Sequence, residues 1–214
     1  CKDILKTIKK IKYTIQTVCS VDDTDISGYE WVVENFGLIH GPNGGIPVNK
    51  NRLIHYLGDN DVVFISEDDI CFKKEGWIDV YLTAIKQTGY QHFNFIVSDY
   101  RQFIKKALKY ESVHLGLCGG YVNGVLMVMT KKCLDVVGGF DERYKKYGYE
   151  HADYTRRCQM SGLYHPNQHV HVMETTPFID WISTPSVINE DEKKQYITYN
   201  SKIFHGPVNK IYIP

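Results

Sequence analysis

The sequence carries no excess of either charge: 25 Lys and Arg balance 25 Asp and Glu over 214 residues. Nucleic-acid binders usually carry a basic surplus, and no overall field draws this chain to an acidic membrane. No apolar run approaches the roughly 20 residues that cross a bilayer. Cys1–Lys12 is interrupted by lysines and lacks the continuous apolar centre of a signal peptide. The six cysteines form no C-x-x-C pair, and there is no H-E-x-x-H run, which argues against a zinc cage or a disulfide frame. Free buried thiols point to a reducing compartment and a cytoplasmic location. There is also no internal repeat, no low-complexity stretch and no compositional break, so residues 1–214 read as one domain.

Apolar residues make up 43 % of the chain, enough for a substantial core, and the 16 Tyr and 9 Phe are mostly core and rim. Strand-like and helix-like segments alternate through most of the length, which predicts an α/β layered fold. Lysine-rich residues 2–12 have helical spacing. Thr14–Val21 reads as a strand ending in Asp22-Asp23-Thr24-Asp25. Tyr29–Asn35 fits a short strand or helix, and Gly41–Gly45 is a glycine-rich loop. Asn51–Leu57 reads as a helix, Asp61–Ser66 as a strand, Trp77–Lys86 as a helix and Phe93–Val97 as a strand. Helical spacing recurs over 101–109, and Gly116–Gly124 reads as a flexible stretch. Val125–Met129 is a strand, followed by helices at Lys131–Val137 and 150–161, a strand at His169–Met173 and a short surface helix at Glu190–Lys194.

The most informative local feature is the apolar strand that runs straight into Glu67-Asp68-Asp69. Three adjacent carboxylates repel one another. A hard divalent cation with open positions for phosphate oxygens offsets that repulsion, and so does water around a solvated turn. Apolar character resumes at once at Ile70, which sets the acids in a dip between buried segments. A second group, Glu150, His151 and Asp153, falls at the start of a helix, where the dipole favours acids. One of them can be a general base, or the helix is simply capped and carries a surface Asp153–Arg157 pair. His169 and His171 share a face of their strand, where they are structural or supplement the acids as metal ligands.

The order of these pieces resembles the family 2-like glycosyltransferases of the GT-A fold. A strand ends in Asp22-Asp23 where the family has its V-D-D turn. Lys50-Asn51 stands at the family's R-N pair, and fifteen residues separate Asn51 from Ser66. Ser66-Glu67-Asp68-Asp69 is similar to the family's D-x-D-D, and to the E-D-D form of N-acetylglucosaminyltransferases. GGFDERY…YGYEHADYTRR resembles the G-G-F-D-E…G-x-E-D-x-D…R signature of β-1,4-galactosyltransferases and polysaccharide polymerases. The likeness covers roughly residues 2–175.

The resemblance implies a Rossmann-like layered domain with a mixed central sheet. Its nucleotide-sugar half is 1–114, and its acceptor half with the tail is 115–214. It implies transfer of a hexose from a nucleoside-diphosphate sugar, UDP being the commonest nucleotide, to a hydroxyl of a glycan or glycoprotein acceptor, with Mn2+ or Mg2+. Asp22, Asp23, Asn51 and Asp68 would contact the nucleotide. Asp69, Glu67 and His171 or His169 would hold the metal. Gly138, Gly139 and Phe140 would shape the acceptor loop. Two departures stand out. His151 replaces the family's aspartate base, which leaves Glu150, Asp153 and His151 as candidates, the carboxylates first. The apolar strand that opens the family has no counterpart ahead of residues 2–12. Both, with Ser66, motivate the alternative of a catalytically degenerate nucleotide- or carbohydrate-binding module. A nucleotidyltransferase would need an early glycine-rich loop bearing Lys or Arg, which the sequence lacks.

Overall fold

In the computed structural model, which describes residues 4, 7, 8, 13–119, 123–182 and 188–207, the centre is a three-stranded antiparallel sheet. Its middle strand β8 (Leu126–Thr130) is buried at every position and pairs with β3 (Val62–Ser66) on one side and β5 (His92–Asn94) on the other. Numbered in chain order, β1 (Val18–Val21), α1 (Glu30–Asn35), β2 (Gly37–His40) and α2 (Ile46–Leu57) precede β3. β1 and β2 pair in parallel, and β2 lies where the sequence pattern gives no strand. After β3 come β4 (Ile70–Phe72), α3 (Trp77–Thr88), β5, α4 (Ser98–Arg101), β6 (Ile104–Lys109) and β7 (His114–Cys118). β8 then leads to α5 (Lys131–Val137), α6 (Glu150–Met160), β9 (His169–Val172), β10 (Ile179–Trp181) and α7 (Glu190–Phe204).

Local chemistry explains several boundaries. Thr130 leaves β8 in an extended conformation and its hydroxyl accepts from Cys133 N at 3.1 Å, capping α5. Asn189 does the same for α7, accepting from the N–H groups of Asp191 and Glu192. α3 buries Trp77, Ile78, Tyr81 and Ala84 against the central sheet, where Trp77 meets Phe64 and Phe72. This face is part of one continuous apolar cluster, whose burial drives folding.

Residues 104–109 are a strand, not the helix expected over 101–109, and of that stretch only Arg101 is helical, at the end of α4. β7 is largely buried and already pairs with β9, and its other edge needs a partner for its backbone groups, which β6 supplies. That requirement overrides a helical spacing that a bulge between Ile104 and Lys106 happens to mimic. β7 correspondingly takes in Gly116–Cys118, the start of the Gly116–Gly124 stretch whose glycines suggested flexibility. α2 begins at Ile46, five residues ahead of the predicted start, with proline in its first turn. α7 runs on to Phe204, well beyond the short surface helix expected. Parallel and antiparallel pairing both occur, but in separate sheets instead of one mixed sheet. Of residues 2–12, Ile4, Thr7 and Ile8 are helical and the rest lie outside the described residues. Cys19, Cys71, Cys118, Cys133 and Cys158 are free thiols, and Cys1 also lies outside. No described helix is long and apolar enough to cross a membrane.

Candidate active site

The three acids occupy the turn between β3 and β4, pinned from both sides. Glu67 N donates to Val125 O at 2.9 Å, extending the pairing with β8, while Ile182 N donates to Asp69 O at 2.8 Å beside β10. The turn opens on a cleft of about 1020 Å3. Asp68 is exposed. Asp69 accepts from Trp181 Nε1 at 3.0 Å through Oδ2, while its Oδ1 is buried with no hydrogen-bond partner among the described residues. Burial pushes the Asp69 carboxyl up, and the neighbouring charges of Glu67 and Asp68 add to this against the Trp181 hydrogen bond.

Across the cleft stands the first turn of α6. Gly148 (φ 91°) and Tyr149 (φ 74°) are both left-handed, and this double turn brings Glu150 and His151 onto the cleft wall. Left-handed backbone is unfavourable for tyrosine, and the loop is held from behind. Asn200, fully buried on α7, accepts from Lys145 N at 2.9 Å and donates to the carbonyls of Lys145, Tyr147 and Gly148 at 3.2, 2.9 and 2.9 Å. α7 thereby becomes a wall of the same cleft, contributing Glu192, Lys193, Tyr196 and Ile197.

A chain of charged contacts crosses between the two walls. Lys50 Nζ on α2 donates to Glu67 Oε1 at 2.7 Å and to Gly124 O at 3.2 Å, and contacts His151 Nε2. His151 Nε2 also lies 3.4 Å from Glu67 Oε1, and its Nδ1 lies 3.2 Å from Glu150 Oε1. Burial opposes ionisation of Glu67, but the adjacent Lys50 ammonium works against it, and this carboxyl is held far below the usual range. Glu150 is 3 % exposed, and its Oε2 has no partner among the described residues.

The other candidates separate into residues that line the cleft and residues used up elsewhere. Asp22 lines it, but its carboxylate accepts from Gly44 N (3.2 Å), Gly45 N (3.0 Å) and Arg52 (3.0 Å), shaping the glycine-rich loop. Asp23 is exposed and accepts from Asp25 N. Asn51 faces away and clamps the 138–142 loop, bonding Phe140 through both N–H and C=O and reaching Glu142. Asp153 is buried, paired with Arg157 at 2.9 Å and Arg156 at 3.1 Å, and Arg157 in turn holds the carbonyls of Val137 and Gly139. The surface pair expected here is thus an interior strut, and Asp153 does not line the cleft.

His169 and His171 do not line it either, contrary to the expectation of one shared pocket. β9 packs as an edge of the β6–β7–β9 sheet, which turns His171 towards Ile96 N (3.3 Å) and Thr176 Oγ1 (3.0 Å). Both its ring nitrogens are engaged, and burial pushes its pKa down to about 3. Among the described residues no three His, Cys, Asp or Glu side chains converge on one point. Lys50, Gly124, Trp181 and Asn200 escaped the sequence reading of the site. Only Lys50 carried a signal, as part of the Lys50-Asn51 pair.

No family model matches the sequence. A glycosyltransferase of Acanthamoeba polyphaga mimivirus, itself named as uncharacterized, is 26 % identical over 170 residues, covering 76 % of this chain and 66 % of the viral protein. The structure resembles that of a mannosyltransferase from Pyrobaculum calidifontis in complex with GDP-Man and Mn2+. The TM-score is 0.56 at 10 % identity, over 97 % of this chain and 61 % of the mannosyltransferase. The chain thus spans a little under two thirds of either protein, and at 10 % identity the structural likeness speaks for the mixed α/β fold alone.

Proposed function

We propose that this chain is the catalytic part of a GT-A glycosyltransferase that moves a sugar from a nucleoside-diphosphate sugar to an acceptor hydroxyl of a glycan or glycoprotein. Residues 1–114 would serve the donor and 115–214 the acceptor. The observation that carries the reading is one cleft in which an acidic turn at a strand end faces Glu150, each wall keeping one carboxylate oxygen without a partner among the described residues. The viral relative's name and the mannosyltransferase's GDP-Man and Mn2+ support the same reaction class.

The residues suit a divalent ion of the Mn2+ or Mg2+ kind. Such ions in phosphate sites take one or two carboxylates and fill the remaining positions with water and phosphate oxygens. Asp69, through an Oδ1 that has no partner among the described residues, and the exposed Asp68 beside it are the residues that would hold it. When bound, the ion supplies Lewis-acid stabilisation of the departing diphosphate. Asp22 and the loop it shapes line the donor end of the cleft, and Tyr147, Tyr196 and Trp181 give it aromatic faces for sugar rings. In the transfer the acceptor oxygen bonds to the anomeric carbon, the bond from that carbon to the diphosphate oxygen breaks, and the hydroxyl proton passes to Glu150 Oε2.

Release of nucleoside diphosphate from a panel of UDP- and GDP-sugars, with and without Mn2+, tests this. Turnover of at least one donor is expected, reduced at least about 100-fold in Asp69→Asn and in Glu150→Gln. Wild-type turnover in both variants would remove the reading, as would a chain that neither binds nor cleaves any donor.

A further inference from the structure

Lys50 is 5 % exposed on α2, and the reaction written above makes no use of it. We propose that Lys50 is a positioning residue with two linked effects. Its ammonium fixes which nitrogen of His151 bears hydrogen, so that His151 orients Glu150. It also binds Glu67 as a counter-ion, which leaves Asp69 and Asp68 as the carboxylates open to a cation. The inference rests on the glycosyl-transfer reading of the cleft.

An ammonium has three donors and no acceptor. The three contacts of Lys50 Nζ are the Glu67 carboxylate, the Gly124 carbonyl and His151 Nε2. Facing a pure donor, Nε2 must accept, so the ring hydrogen sits on Nδ1. That nitrogen faces Glu150 Oε1 at 3.2 Å. Donation there fixes one carboxylate oxygen of Glu150 and leaves Oε2, which has no partner among the described residues, for substrate. The ring itself is seated tightly: a side-chain carbon on Gly124 would lie 1.9 Å from His151 Nε2, so the imidazole rests directly on that backbone.

The same ammonium divides the acidic turn. Glu67 Oε1 is bonded to Lys50 and lies beside His151, whereas Asp69 Oδ1 has no partner among the described residues. A cation that recruited Glu67 would strip a buried ammonium of its counter-charge, which is costly. The sequence puts three carboxylates in a row, yet the fold presents two of them.

Three measurements on the full chain test this. In 15N-histidine-labelled protein, the NMR resonances of His151 should report a hydrogen on Nδ1 and an accepting Nε2. Lys50→Met should give a mixture of tautomers, and Lys50→Arg should recover the native one in part. With donor, Lys50→Met should lower kcat about 100-fold while KM moves less than about threefold. Mn2+ affinity, followed by electron paramagnetic resonance in the presence of UDP or GDP, should change less than about threefold in Glu67→Gln and fall at least about tenfold in Asp69→Asn. Glu67→Gln and Lys50→Arg keep the test valid if Lys50→Met does not fold. Loss of Mn2+ in both acid variants, or an unaltered tautomer in folded Lys50→Met, overturns the inference and leaves the glycosyl-transfer reading standing. A wild-type chain that binds no Mn2+ with either nucleotide and cleaves no donor overturns both.

Discussion

Replacing Gly124 by alanine is the sharpest probe of how the cleft is assembled. The added carbon would lie 1.9, 2.0 and 2.1 Å from His151 Nε2, Cδ2 and Cε1, far inside contact distance for the whole ring edge. Backbone strain does not enter, because Gly124 is not among the glycines with positive φ. The imidazole must therefore leave. Its departure removes an acceptor from Lys50 and the contact to Glu150 Oε1. Hydrogen bonds to charged groups contribute about 1.5–3 kcal/mol each, and breaking them strands buried partners, so Gly124→Ala should cost about 2–4 kcal/mol. For a domain of this size that lowers Tm by roughly 4–16 °C. The His151→Ala background gives a stricter test. With the ring already gone, Gly124→Ala should cost less than about 0.5 kcal/mol, a coupling of about 1.5 kcal/mol or more. Urea denaturation of the four proteins measures it. An equal cost of Gly124→Ala in both backgrounds would refute the claim that the imidazole sits on this backbone.

Three further predictions concern the supports of the site. Asn200→Ala should destabilise the chain by about 2–4 kcal/mol and speed amide exchange at 145–149 more than elsewhere, because Asn200 makes four hydrogen bonds to that loop. Unchanged protection there would count against it. Asp153→Ala should cost about 3–5 kcal/mol by leaving Arg157 buried without its carboxylate. At a temperature where the variant is folded it should keep turnover within about tenfold, and the reverse pattern, full stability with no turnover, would make Asp153 the base. Burial pushes His92 down to about 3. Between that value and the unfolded value of about 6.5 the unfolded chain binds the extra proton, so stability is complete above that range and is lost as pH falls through it. His92→Gln should lessen this loss by about 1.4 kcal/mol per pH unit, and an unaltered slope of urea midpoint against pH would contradict the assignment.

Which features were readable from sequence follows from how far apart the deciding contacts lie. The acidic turn was legible because an apolar strand ending in three acids is a local pattern, and the start of α6 because Gly148 and Gly162 bracket it. The β6–β7 hairpin was not. Phe103, Ile104, Ala107 and Leu108 fit a helix as well as a bulged strand, and the deciding term is the unpaired edge of β7. The division of the candidates into free and engaged groups was equally invisible. Asp22 is engaged by Gly44, Gly45 and Arg52, at least 22 positions away, and Asn51 by Phe140, 89 positions away. The alternation of His169 and His171 was read correctly as one strand face. Where that face points is set by β9 packing on β7, which no local spacing encodes.

The partnering of the carboxylates in and around the cleft leads to a last prediction. Asp22, Glu67 and Asp153 each meet a cationic side chain, and their charges hold the fold together. Asp69 and Glu150 each keep an oxygen buried and without a partner among the described residues. An unsatisfied buried polar atom costs about 1–3 kcal/mol, in a domain whose whole stability is about 5–15 kcal/mol. Residues retained at such a cost belong to function more often than to packing. Burial and the charges of Glu67 and Asp68 push the Asp69 carboxyl up, so its ionised form destabilises the folded chain at neutral pH. That penalty is relieved as pH falls through the raised value. Asp69→Asn removes the charge at constant shape and should therefore leave the metal-free protein more stable at pH 7, read as a higher Tm, while abolishing turnover. Mn2+ with a nucleoside diphosphate should then stabilise the wild type and not the variant. A variant less stable than the wild type in the absence of metal would mean that Asp69 is a structural acid like Asp153.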